Sequence, residues 1–271
     1  MDEWVEELLA DPVTKQSVTS EHFTFVDGVP DARVFLKSTY GFESWESGQS
    51  AYETWESDGS GYANDVARYR VEIEYDRPTY EIFRMEGAVL DIGGGAGTVR
   101  EFLDEDTKYV SVDPFISILS QLPASKVEAY DCLKKPLNFI AAMAEFLPFQ
   151  QASFDWVHMR SMLDHVQVAD LALLEARRVL VPEGFLLVGI HVEGGRSGDA
   201  RGLTSAKERI KQVAGKLGVG RWQDNHIWHP TYLGLVALLK DNGFQIVQEY
   251  WQPQWQDSVV YVLATPSPRQ G

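Results

Sequence analysis

The chain has 271 residues, 44% of them hydrophobic, enough for one large core or one domain with appendages. Its 24 Lys and Arg against 40 Asp and Glu give a formal net charge of −16, with no basic cluster beyond pairs such as Lys134-Lys135 and Arg177-Arg178, which argues against nucleic acid and anionic membranes as partners. The single cysteine, Cys132, excludes an internal disulfide and a multi-cysteine zinc cluster, so no metal site is expected.

At the N-terminus, Met1-Asp2-Glu3-Trp4 lacks the basic-then-apolar pattern of a leader, and no run approaches 18 apolar residues; a cytoplasmic protein without a membrane span is expected. Trp4, Leu8 and Leu9 mark a short amphipathic helix, and Asp27-Gly28 marks a hairpin. Residues 31–62 carry Tyr40, Phe42, Trp45, Tyr52, Trp55 and Tyr62 at a spacing that fits neither a helix nor a strand. They either pack this segment onto the main domain or form a lid, because aromatic rings stack on planar ligands and exclude water. Residues 63–84 read as a helix that ends near Arg77-Pro78.

From residue 88 strands alternate with helices. Strands are expected at 88–92, 109–113, 126–130, 154–159, 184–191, 244–251 and 258–265. Leu173, Ala176 and Leu180 lie on one helix face, and Tyr232, Leu235, Val236 and Leu239 on another, closed by Asn242-Gly243. The fold class is therefore α/β, a doubly wound, mostly parallel, seven-stranded sheet. Only residues 252–257 join the last two strands, so they should pair antiparallel at one edge. The expected division is an N-terminal extension or lid at 1–62 and a nucleotide-binding domain at 63–271, with a cap insertion at 193–228 containing a helix at 205–217.

The chemistry centres on Val89-Leu90-Asp91-Ile92-Gly93-Gly94-Gly95-Ala96-Gly97. An apolar strand ends in glycines, with an apparent helix opening at Thr98, the form of a nucleotide-binding loop. Dinucleotide spacing fails, since position six from Gly93 is Thr98 and from Gly95 is Arg100. Asp91 would repel a polyphosphate and suits an ammonium or sulfonium ligand.

Acid-x-Gly-x-Gly-x-Gly resembles the first motif of class I S-adenosylmethionine (SAM)-dependent methyltransferases of the type 11 kind. Further matches follow in order: Tyr109-Val110-Ser111-Val112-Asp113, Ala144-Glu145-Phe146-Leu147-Pro148-Phe149 with Ser153-Phe154-Asp155, Met162-Leu163-Asp164-His165-Val166, and the approach Arg177 to Phe185. The resemblance covers about residues 63–265. It implies a SAM site in which Asp91 sits near the methionine ammonium and Gly93, Gly94, Gly95 and Gly97 pass under the cofactor. In that site Asp113, followed by Pro114, accepts the ribose hydroxyls; Ala144, Glu145 and Phe146 flank the adenine; and Met159 and Arg160 face the methionine end. Met143 stands where the family often has an acid. More weakly, residues 9–30 resemble a small zinc-ribbon-like domain whose cysteines are here Asp11 and Thr14.

The implied activity is methyl transfer to a small-molecule acceptor, with a natural-product or sugar-lipid intermediate favoured and the acceptor atom and oligomeric state open. His165 or His226 is expected to take the acceptor's proton, since imidazole titrates near neutrality; His158, His191 and His229 are further possibilities. Trp222, Trp228, Trp251 and Trp255 could roof the acceptor pocket. The competing readings are a nicotinamide-type oxidoreductase, a non-catalytic SAM-binding scaffold, and a protein or tRNA methyltransferase.

Overall fold

The computed structural model describes residues 1–38, 41–58, 65–197 and 226–268. The expected helix at 205–217 and the aromatics Tyr40, Tyr62 and Trp222 lie outside them. After a one-turn helix α1 (Glu3–Glu6), the hairpin β1 (Thr24–Val26) and β2 (Val29–Asp31) turns at Asp27 and Gly28, both with positive φ (51° and 82°), the geometry that Asp-Gly supplies. Two long helices follow, α2 (Phe42–Asp58) and α3 (Val66–Ile82). The alternating core comprises β3 (Ala88–Ile92), β4 (Lys108–Asp113), α4 (Ala124–Ala129), β5 (Asn138–Ala141), β6 (Phe154–Arg160), α5 (Ala169–Val179), β7 (Leu180–His191), α6 (Tyr232–Asp241), β8 (Phe244–Trp251) and β9 (Val259–Pro266). No helix among the described residues is long and apolar enough to cross a membrane.

One sheet holds these strands in the order β1-β2-β5-β4-β3-β6-β7-β9-β8. β3 to β7 run parallel, and each carries a buried apolar run, as strands covered on both faces must. The order reverses between β3 and β4 on one side and β3 and β6 on the other. That switch point opens a crevice at the carboxyl ends of the strands, where ligands of such sheets bind. α5 buries Ala172, Leu173, Ala176 and Val179 as one stripe, and α6 is capped by Thr231, which accepts from the Gly234 amide at 3.1 Å.

Five sequence expectations are corrected. The third strand is not at 126–130, which is helical (α4): Pro123 presets the backbone for a helix start, and the buried run Phe139-Ile140-Ala141 supplies the strand instead. The sheet has nine strands rather than seven, because the hairpin β1–β2 joins it beside β5; the last two strands do pair antiparallel at one edge, with β9 between β7 and β8. Thr98–Phe102 forms only a five-residue 3₁₀ turn. α3 runs through Pro78 to Ile82, held on both sides of the proline: Gln252 donates to Asp76 and to Thr79, and Tyr80 stacks on Phe102 at 4.6 Å. Segment 42–58 is a helix, discussed below.

The first thirty residues pack into the main core. Val5, Leu9, Phe23 and Ala32 share a cluster with Leu90, Val110 and Ile140, and β2 bridges to β5 at Asp31 and Ala141. Where the resemblance would place cysteines, Asp11 closes the turn itself, accepting from the Thr14 amide at 2.6 Å and the Val13 amide at 3.0 Å and meeting His22 at 3.0 Å. Those bonds, the Thr14 amide first, hold its carboxyl well below the usual carboxylate range.

Candidate functional site

The glycine loop leaves β3 directly over the crevice. Gly93 donates to the Val112 carbonyl at 2.8 Å, and Gly97 to Gly94 at 2.9 Å, so the turn closes on itself. Gly93 has φ 69°, and a Cβ there would lie 2.7 Å from Met162 Cβ. Gly93→Ala should therefore cost about 1–2 kcal/mol of stability and weaken SAM binding at least about tenfold, checked by denaturant melts and calorimetry.

The loop floors a cleft with about 930 Å³ of empty space, its open mouth included. Of the residues read from sequence, Gly93, Asp113, Pro114, Ala144, Glu145, Arg160 and His165 line it. Asp113 ends β4 buried, with Oδ1 accepting from the Phe115 amide at 2.8 Å and Oδ2 from the Gly95 amide at 3.2 Å. Burial outweighs those amides and pushes its carboxyl up to about 7. Glu145 is also buried; its Oε1 accepts from the Gln167 and Val168 amides at 2.9 and 3.1 Å, tying the cleft wall to the start of α5. Burial raises its carboxyl as well.

The remaining residues stand elsewhere. Met159 is core, Phe146 lies off the lining, and Gly94, Gly95 and Gly97 shape the loop behind Gly93. Asp91 is turned inward. Its Oδ1 meets His158 Nδ1 at 2.7 Å, its Oδ2 accepts from the Tyr109 hydroxyl, and His158 Nε2 meets the Tyr80 hydroxyl at 3.3 Å. A Cβ on Gly94 would sit 2.5 Å from the Asp91 carboxyl, so the loop rests directly on this buried group. Arg160 is pinned to α3 by Asp76 at 2.6 Å.

At the other end of the cleft, Ser161 follows β6 with φ 49°, a left-handed conformation unusual for serine and typical of ligand-facing turns. Its amide donates to Gly189 at 2.8 Å. The turn then presents Met162, the buried Asp164, and His165. Segment 226–229 docks here: the Ile227 amide donates to the Asp164 carbonyl at 2.8 Å, and Trp228 Nε1 to Leu163 at 3.0 Å. This sets the His165 and His226 rings 4.6 Å apart, with Asp164 Oδ2 3.5 Å from His226 Nε2 and Oδ1 3.9 Å from His165 Nε2. His158 and His191 are not part of this group, and His229 pairs with Glu193 at 3.8 Å.

α2 crosses the mouth with Trp45, Gly48, Gln49 and Tyr52 facing the cleft. That is i, i+3, i+4, i+7, a helical stripe invisible in the aromatics alone because Gly and Gln supply its middle. Tyr52 packs edge-on against Phe115, beside Asp113, at 6.4 Å. Trp251 and Trp255 do not roof the cleft: one is buried at the end of β8 against Tyr232, the other lies outside against Tyr75. Trp45 and Tyr52 belong to the aromatics read as packing or lid; sequence reasoning missed Gly48 and Gln49 as lining residues, for which the stripe was the available signal, and Ser161, for which there was none.

A SAM-sized group fits these residues. Gly93 leaves the floor open, Ile92, Val112, Ala142 and Val166 offer apolar walls, and Asp113 brings a carboxyl to the lining. Fold and cleft thus define a doubly wound nucleotide-binding domain of the methyltransferase kind. Residues 90–188 match the family model described as a methyltransferase domain. Among curated relatives, the chain is 36% identical over 109 residues to a ubiquinone/menaquinone biosynthesis C-methyltransferase of Hahella chejuensis, covering 39% of this chain and 43% of that one. It is 28% identical over 199 residues to the Escherichia coli protein of that name, covering 69% and 78%. Among solved structures, the 1,6-didemethyltoxoflavin-N1-methyltransferase of Burkholderia thailandensis, with S-adenosylhomocysteine bound, shares the fold at TM-score 0.56 and 17% identity over 83% of this chain and 90% of that one.

Proposed function

We propose that the cleft holds SAM with its ribose toward Asp113 and its adenine between Ala144, Glu145 and Pro114, and that the acceptor is a small molecule enclosed by α2 and the turn 161–165. The observation that carries this reading is the placement of Asp113 at one end of a single cleft and of His165, backed by Asp164 and His226, at the other. Bound SAM supplies a methyl group already activated on a sulfonium. The protein's part is alignment, exclusion of water and handling of the acceptor's proton. Trp45 and Tyr52 exclude water at the mouth, Gly93 lets the ligand approach the backbone, and the Asp164–His165–His226 group takes charge of the proton. Residues 1–62 then serve as core packing up to β2 and as a lid at α2. The acidic surface disfavours nucleic acid as acceptor.

Because the curated relatives carry the name of quinone-pathway C-methyltransferases, quinone precursors join sugar-lipid and natural-product compounds in the acceptor panel that tests this reading. With a turned-over acceptor in hand, His165→Gln and His226→Gln should each lower kcat by about 100-fold or more while SAM affinity stays within about twofold. Full turnover in both variants would remove the histidines from the chemistry, and absence of SAM binding in calorimetry would end the reading as a whole.

A further inference from the structure

Three potential ligand atoms converge at the acceptor end of the cleft. The Asp164 carboxylate and one ring nitrogen each of His165 and His226 all lie within 4.8 Å of one another. The carboxylate is 93% buried by its side chain (7% exposed), yet its Oδ1 has no hydrogen-bond partner among the described residues. A buried carboxylate oxygen without a donor is costly, and 3.9 Å to His165 Nε2 is too long for a hydrogen bond. Atoms that each sit about 2.0–2.1 Å from one tetrahedral ion lie about 3.3 Å apart, so three ligand atoms that already lie within 4.8 Å of one another close on a common centre by side-chain rotation alone. Hydrogen bonds from the Ile227 amide and the Trp228 indole already hold the two histidine-bearing segments together, so the group is preorganised.

We propose that Asp164, His165 and His226 form a binding site for a first-row divalent cation, with the open coordination positions facing the acceptor. Two imidazoles and one carboxylate suit zinc, iron(II) or cobalt(II) over magnesium or calcium, which prefer oxygen ligands. The set leaves coordination positions free, as catalytic rather than structural sites do. The inference rests on the proposed function for the identity of the open face, where a cation would hold an acceptor oxygen and favour its deprotonated form. The binding site itself stands on the three residues alone.

The test is calorimetric titration of the chelator-stripped full-length chain with zinc alone, in the absence of SAM, followed by SAM titration of the metal-free chain. One zinc per chain is expected, with affinity weakened on the order of 100-fold by His226→Gln and by Asp164→Asn, since even outer partners of metal ligands are worth 10–100-fold. His226 is nearly half exposed, so its variant keeps the fold; cobalt(II) absorption in the parent and its loss in His226→Gln give a second readout of the same ligands. No zinc binding, or zinc binding unchanged in both variants, overturns the site. SAM binding without zinc binding overturns this inference and leaves the proposed function standing. Zinc binding without SAM binding upholds the site and removes the proposed function.

Discussion

Asp113→Asn should give a protein that binds SAM about 100-fold more weakly at pH 8 and whose stability gains on the parent as pH rises. The affinity loss follows from the proposed contact, because a carboxylate can accept from both ribose hydroxyls and each charged hydrogen bond is worth about 1.5–3 kcal/mol. The stability effect follows from burial. The Asp113 carboxyl sits at about 7 in the fold against an ordinary value near 3.8. Between those values the folded state keeps a proton that the unfolded state has lost, so this group's contribution falls as pH rises through the window and is fully unfavourable above 7. Asparagine carries no proton to lose. The difference in unfolding free energy between variant and parent should therefore move in the variant's favour by on the order of 2 kcal/mol from pH 5 to pH 8. Its absolute sign at a given pH is set also by the amide hydrogen bond that asparagine cannot accept. SAM affinity of the parent should itself weaken below pH 7, where the carboxyl is neutral, while that of the variant stays flat. A pH-independent stability difference, or unchanged SAM affinity, would sink the assignment.

The glycine-loop end of the cleft was legible because its residues are fixed by backbone needs. A parallel strand covered on both faces carries a buried apolar run, the turn after it must be glycine where a Cβ would strike Met162, and the acid at the end of β4 is two residues from an amide that donates to it. These are local constraints and leave local traces. The third strand was misplaced for the same reason in reverse: 126–130 has the alternation of a short strand, and nothing local says that Pro123 starts a helix or that 138–141 is covered on both faces. Periodicity is ambiguous in runs that short.

The end of the cleft at the turn 161–165 was less legible because tertiary contacts build it. His165 and His226 lie 61 positions apart and meet only because Ile227 and Trp228 bond to the turn at 163–164. The α2 stripe combines Trp, Gly, Gln and Tyr, so no hydrophobic period announces it, and Ser161 adopts a conformation its residue type disfavours.

Asp91→Ala should unfold the protein more readily by about 3 kcal/mol or more, an effect beyond what loss of a ligand contact alone would produce. The motif suggested an acid beside the methionine ammonium, but this carboxylate faces inward. One arrangement of hydrogens satisfies every member of its network: Tyr80 donates to His158 Nε2, His158 Nδ1–H donates to Asp91 Oδ1, and Tyr109 donates to Asp91 Oδ2. Removing the carboxylate orphans two buried donors at about 1–3 kcal/mol each and opens space beneath Gly94, whose backbone rests on it. SAM binding should fall as a consequence, through the loop. Tyr109→Phe removes one donor together with its share of the network and should cost less than Asp91→Ala in both stability and affinity. Denaturant melts without ligand separate the two duties of the motif acid. If Asp91→Ala melts like the parent and loses only SAM affinity, the carboxylate acts on the ligand. If it loses stability in the absence of SAM, the acid that opens the motif is the post on which the glycine loop stands.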